Sequence, residues 1–143
     1  MPIVIITTFL WVGFVCAISF MEAWLKFRAP GITVPLGLGI GRLVFSVLNK
    51  VEWIFAIAII INIIFSGSEL WKRKNLLFIV PLIILFTQTL WLLPALDARA
   101  ELYIQRQTVP PSNLHFYYIG MEIIKTIFLI TFGLTLFKTQ YNE

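Results

Sequence analysis

The sequence predicts an all-α integral membrane protein that folds as an up-down-up-down bundle of four helices. Of its 143 residues, 59% are hydrophobic and 13% are charged, and the mean hydropathy is +0.92. Soluble globular domains have about 45–50% apolar and about 25% charged residues. The apolar runs also lack the alternation of polar and apolar residues that marks a membrane barrel. We therefore expect a single transmembrane domain over residues 1–143, without a separate soluble catalytic domain.

The first apolar run predicts a helix over residues 3–27. No positively charged segment precedes it, and Glu22, Trp24 and Lys26 follow where a signal peptide would have small residues, so we interpret it as a retained helix. The next stretch, residues 28–41, contains two prolines and four glycines. It predicts a non-helical loop that lies at the membrane interface or folds back into the protein.

Three further apolar runs predict helices over residues 42–65, 75–99 and 114–137. Pro81 and Pro94 can kink the third helix without preventing it from spanning, because neighbouring groups can satisfy the freed carbonyls. A polar loop over residues 100–113 follows. It ends at Ser112 and Asn113, either of which can accept a hydrogen bond from the first free amides of the fourth helix.

The charged residues, 11 basic and 7 acidic, are unevenly distributed. Twelve of these eighteen lie on the side of the first and third connections, or in the adjoining half of the bundle: Glu22, Lys26, Arg28, Arg42, Lys50, Glu52, Asp97, Arg99, Glu101, Arg106, Glu122 and Lys125. Glu52 and Glu122 would lie roughly 12–15 Å from the starts of their helices. An ionised group at the bilayer centre costs about 2.5–3.5 kcal/mol on insertion scales. We therefore expect both to face the bundle interior and to be paired.

Helical spacing gathers polar side chains on one face of the second helix and one face of the fourth. The candidate ligand-binding residues are Arg42, Asn49 and Glu52 on the second helix, and His115, Tyr118, Glu122 and Lys125 on the fourth. One interpretation is a structural polar network in an accessory subunit. Another is a polar cavity that binds an amphiphile, such as a lipid headgroup or a quinone-like ring, or that docks a partner membrane protein.

Other classes of function find little in the sequence. His115 is the only histidine, which excludes a bis-histidine haem or a multi-histidine metal site within one chain, and we expect no metal and no cofactor. The single cysteine, Cys16, cannot form an internal disulfide. The net charge of +4 comes without a basic stripe, so no nucleic acid partner is expected. A homo-oligomer stays open.

The basic residues beside the spans number five on the side of the first and third connections and four on the other. The first helix is followed by Lys26 and Arg28 and preceded by no basic side chain. This favours both termini outside and the polar loops in the cytoplasm of a multi-pass protein of the plasma or inner membrane.

Several short motifs resemble the small four-span membrane families grouped with copper-resistance-D-like and anthrone-oxygenase-like proteins. They are Leu10-Trp11-Val12-Gly13 in the first helix, the Pro/Gly-rich first loop, Leu93-Pro94 in the third helix, and Asn113-Leu114-His115-Phe116 at the start of the fourth. The resemblance covers nearly the whole chain and implies a fold and a membrane location.

A second resemblance is to the membrane-associated eicosanoid and glutathione metabolism superfamily. Asn49-Lys50-Val51-Glu52 has that family's Asn-x-x-Glu spacing, and Arg99 and Tyr103 lie on the corresponding side of the membrane. Phe45 stands where the family has an arginine, and Arg42 lies one turn further out. The resemblance implies a trimeric enzyme of glutathione or lipid metabolism.

Overall fold

The structure is a computed structural model that describes residues 2–67 and 72–142, and those residues form helices and connections without strands. Within them, four helices are long and apolar enough to cross a membrane: α1 (Pro2–Arg28), α2 (Val34–Phe65), α3 (Arg73–Ile104) and α4 (Leu114–Tyr141). The predicted all-α class and four-helix bundle are therefore confirmed. The four spans suggest a multi-pass membrane protein.

The helices form a four-sided bundle in which α1 and α3 each pack against both α2 and α4. The half of the bundle near the chain termini is filled by buried apolar side chains. Phe78 stacks on Phe132 with ring centroids 5.3 Å apart, and its ring meets Trp11 edge-on at 6.2 Å. Ile59 and Ile63 complete this core from α2. This half also buries two polar residues, Thr8 and Asn75.

The predicted loop over residues 28–41 is wrong from Val34 onward, because α2 begins eight residues before the expected Arg42. The Thr33 hydroxyl accepts a hydrogen bond from the Leu36 amide at 3.4 Å and caps the helix. Proline in the first turn interrupts no helical hydrogen bond, so Pro35 fits this start.

The glycines of this segment serve close packing within α2. A Cβ added to Gly37 would lie 2.2 Å from the Phe27 ring, whereas one added to Gly39 would meet nothing within 4 Å. Gly37 therefore lets α2 approach the end of α1. A glycine-rich run can form a helix that packs closely against a neighbour, although the same composition usually indicates a loop.

The ends of α3 and α4 also extend beyond the prediction, whereas α2 ends at Phe65 as predicted. The third helix continues to Ile104, so the polar loop begins at residue 105 and not at residue 100, and the fourth continues to Tyr141. The predicted cap of α4 is supplied by Ser112, whose hydroxyl accepts from the Leu114 amide at 3.2 Å. The Asn113 side chain makes no capping hydrogen bond.

Two of the spans contain a π-helical segment: Cys16–Glu22 in α1 and Gln88–Leu92 in α3. The second directly precedes Pro94, which has no amide proton to continue the regular ladder. Pro81 lies within an α-helical stretch. A π-helical turn shifts the direction of the side chains that follow it and often occurs at functional sites. Both segments carry polar residues that take part in the site described below.

The contrast between Gly37 and Gly39 gives a matched test of the packing between α1 and α2. Alanine is better than glycine in a helix interior by about 1 kcal/mol, and both substitutions gain this. We expect Gly39→Ala to keep or raise the apparent melting temperature in detergent. Gly37→Ala should lower it relative to Gly39→Ala, because overpacking costs about 1–3 kcal/mol. Equal melting temperatures would show that Phe27 moves aside freely.

Candidate functional site

Three ionisable side chains meet in the interior of the bundle. The Lys125 ammonium of α4 lies 2.5 Å from a carboxylate oxygen of Glu52 on α2 and 2.6 Å from one of Glu122, one turn earlier on α4. All three are at most 1% exposed. The predicted pairing of the two buried acids is thus found, with a single lysine between them.

Polar groups from α1 and α3 complete this arrangement. Gln88 donates from Nε2 to Glu122 at 2.6 Å and accepts from Lys125 Nζ at 2.7 Å. The Trp11 indole donates to Glu52 at 2.7 Å, and the Ser19 hydroxyl donates to Glu122 at 2.6 Å. The six residues of this buried cluster are Trp11, Ser19, Glu52, Gln88, Glu122 and Lys125. Each of the four spans contributes at least one of them.

The buried cluster lies deep within the membrane-spanning length. Lys125 is eleven residues from Leu114 and sixteen from Tyr141 on a regular α-helix, which corresponds to roughly 16 Å and 24 Å. Separating such charges from water is costly, so each must be satisfied by partners inside the protein. With Glu52, Glu122 and Lys125 all ionised, the cluster carries one more negative than positive charge.

A cavity of about 140 Å³ opens beside the buried cluster, between α1, α2 and α4. It is lined by Ser19, Phe20, Ala23, Trp24, Phe45, His115, Tyr118, Ile119 and Glu122. Its polar end holds Glu122, Ser19 and the buried Tyr118, while His115 and Trp24 are exposed. The cavity lies in the half of the bundle that adjoins the α1–α2 and α3–α4 connections.

The candidate residues predicted from the sequence fall into two groups. Glu52, Glu122 and Lys125 meet in the buried cluster, and His115, Tyr118 and Glu122 line the cavity. Arg42 and Asn49 are directed elsewhere.

Arg42 and Asn49 both join α2 to α3. Arg42 pairs with Asp97, at 2.6 Å from Nε and 3.1 Å from Nη2, and also with Glu101. The Asn49 amide donates to the Thr89 hydroxyl at 2.9 Å, and Thr89 accepts from a second α2 side chain as well. These contacts leave both residues outside the cavity and the buried cluster.

The sequence reasoning missed Trp11, Ser19 and Gln88. Gln88 had a usable signal, because it is an amide in the middle of an apolar run and such groups tend to face other helices. Ser19 had no such signal, because its direction depends on the π-helical segment of α1. Trp11 had none either. Among the described residues, no three His, Cys, Asp or Glu side chains are arranged to hold a metal ion.

No protein-family model, curated protein or solved structure matches this chain. Any function of the site therefore has to follow from its own geometry.

Lys125→Met tests how far the bundle depends on the buried ion pairs. The substitution leaves two buried carboxylates without their cation, so we expect the free energy of unfolding to fall by about 3–5 kcal/mol. Equilibrium unfolding in mixed micelles, followed by tryptophan fluorescence, measures the change. Lys138→Met is the matched control, because Lys138 is an exposed lysine in the last turn of the same helix, and it should change the stability by no more than about 0.5 kcal/mol.

A compensating variant distinguishes lost charge pairing from lost packing. Adding Glu52→Gln and Glu122→Gln to Lys125→Met removes all three charges while nearly keeping the side-chain volumes. Neutral replacement of a whole buried ion group is often harmless, so most of the lost stability should return. Equal stabilities of Lys125→Met and Lys138→Met would contradict a structural role for the ion pairs.

Proposed function

We propose that this protein is an intramembrane binding protein for an amphiphile, whose headgroup occupies the cavity between α1, α2 and α4. The observation that carries the proposal is the position of Glu122. Glu122 belongs to the buried cluster and is also one of the residues that line the cavity. A group entering the cavity would thus meet a charged network at one end and aromatic rings at its sides.

The size of the cavity favours a compact headgroup. An apolar cavity of about 150 Å³ holds a molecule such as benzene, whereas sites for drug-sized ligands measure about 300–1,000 Å³. At about 140 Å³, this cavity accommodates a small ring or a small polar group. The rest of such a ligand would lie outside it, along the apolar outer surface of the helices, as the alkyl chain of an amphiphile does.

A purely structural role accounts for the buried cluster but leaves the cavity unused. All four spans are joined through Gln88, Trp11, Ser19 and the three charged residues, which is sufficient to hold the helices in register. The same network would hold Glu122 and Tyr118 in place at the end of the cavity. Structural and binding roles therefore support each other.

The two other hypotheses gain less support from the arrangement. A glutathione site on the pattern of the eicosanoid and glutathione superfamily would need Asn49 and Arg99 to share a pocket. Asn49 contacts Thr89, and Arg99 donates to the Pro110 carbonyl at 2.6 Å. Docking of a partner through the polar residues is not favoured either, because the buried cluster is enclosed within one chain. With the termini outside a plasma or inner membrane, the cavity would lie in the cytoplasmic half.

Filling the cavity tests the proposed function. Ala23 lines it, whereas Ala17 is an exposed residue earlier in the same span. Ala23→Phe should therefore occupy the space, and Ala17→Phe should add the same bulk facing lipid. The probes are dodecanol, dodecyl sulfate and dodecyltrimethylammonium, added to protein in a maltoside detergent and detected as bound adducts by native mass spectrometry.

We expect at least one probe to bind the wild type and Ala17→Phe about equally, and to bind Ala23→Phe at least about tenfold more weakly, a difference of 1.4 kcal/mol. Thermal unfolding shows whether Ala23→Phe is folded. If none of the three probes distinguishes a folded Ala23→Phe from Ala17→Phe, the cavity is not a binding site and the proposed function is wrong.

A further inference from the structure

We infer that the headgroup held in this cavity is a cation, specifically a primary amine or quaternary ammonium group on an alkyl chain. This inference rests on the proposed function and specifies the chemical class of its ligand. It is argued from the charges of the buried cluster and from the aromatic walls of the cavity.

With both carboxylates ionised, the buried cluster carries a net negative charge. Glu52 and Glu122 face one ammonium, that of Lys125, and the other members, Trp11, Ser19 and Gln88, are neutral. Glu122 is one of the residues that line the cavity. A ligand with one positive charge would bring the formal sum to zero, whereas a sulfate, phosphate or carboxylate headgroup would add a second unpaired negative charge in a medium that screens poorly.

The walls of the cavity suit the same class of ligand. Trp24, Phe45, Phe20 and Tyr118 surround the space. Aromatic faces attract ammonium and quaternary ammonium groups, and cages of such rings are the usual recognition device for them. A desolvated aromatic site next to a carboxylate therefore combines the two interactions that bind an organic cation in a low-dielectric setting.

Basic side chains near the cavity do not reverse this preference. Lys26 is paired with Glu22 at 3.2 Å, and its ammonium lies 5.7 Å from the centre of the Phe45 ring. Arg28 lies over the Trp24 ring at 5.9 Å, at the outer end of α1. Both contacts show that these rings accept a cation on a face. The polar end of the cavity, beside Glu122, contains neither of these basic groups.

The experiment compares dodecyltrimethylammonium, dodecanol and dodecyl sulfate, which differ in headgroup charge and share a chain. Specific binding is the difference between the wild type and Ala23→Phe, which removes the contribution of unspecific partitioning. We expect dodecyltrimethylammonium to bind at least about tenfold more tightly than dodecyl sulfate. Equal or stronger binding of dodecanol or dodecyl sulfate at the same site would overturn the cation inference and leave the proposed function intact. If none of the three probes binds specifically, both the cation inference and the proposed function are wrong.

Glu52→Gln supplies the second arm, because Glu52 does not line the cavity but contributes to its charge. This variant keeps the Glu122–Lys125 pair and brings the cluster to formal neutrality, so the preference for the cationic probe should fall to near equality. Glu101→Gln is the matched control: it removes one negative charge from the outer part of α3, where Glu101 pairs with Arg42, and should keep the preference. An unchanged preference in Glu52→Gln would overturn the charge argument. If Glu52→Gln does not fold, the comparison of the three probes on the wild type decides alone.

Discussion

The structure depends on one constraint: an ammonium group in the middle of a membrane bundle must be neutralised from within the protein. Lys125 meets this constraint by lying between Glu52 of α2 and Glu122 of its own helix. The ion pair between Lys125 and Glu52 joins α4 to α2, and hydrogen bonds from Trp11 and Gln88 add α1 and α3. The register of all four spans is therefore fixed at the buried cluster. In lipid, apolar contacts between helices favour one register only weakly over another, so the polar contacts of the buried cluster determine the register.

The π-helical segments of α1 and α3 lie where these helices reach the buried cluster. Ser19 belongs to the π-helical part of α1, and Gln88 begins the π-helical part of α3. In both cases a helix departs from regular geometry at the residue that reaches the buried charges. The added turn width redirects side chains without a break in the backbone hydrogen bonding that lipid would penalise. The half of the bundle that contains the buried cluster thus combines regular helices with π-helical segments where polar groups meet.

Much of the fold follows from the sequence because membrane spans have a strong and simple signal. Apolar length identified all four helices, and helical spacing placed Glu52, Glu122 and Lys125 in the interior. The failures have physical causes. Gly37 packs against the ring of Phe27, and this contact with another helix is invisible in a local pattern that indicates a loop. Arg42 lies at a compatible angle on α2, yet Asp97 competes for it on α3. Angular position on one helix shows which way a side chain points, but its partner depends on the neighbouring helix.

The coexistence of a closed polar network and a cavity is the feature that separates this bundle from one held together by polar contacts alone. A network selected only for stability would gain from filling the space beside Glu122 with a larger apolar side chain, since empty volume costs contact energy. Ala23 keeps that space open, and Tyr118 adds a hydroxyl to a wall that could be wholly apolar. An ionised carboxylate without a cation partner is costly in the same place, unless a positively charged group pairs with it. The cavity, the aromatic walls and the charge of the cluster therefore have a common explanation in the organic cation that we propose as the ligand.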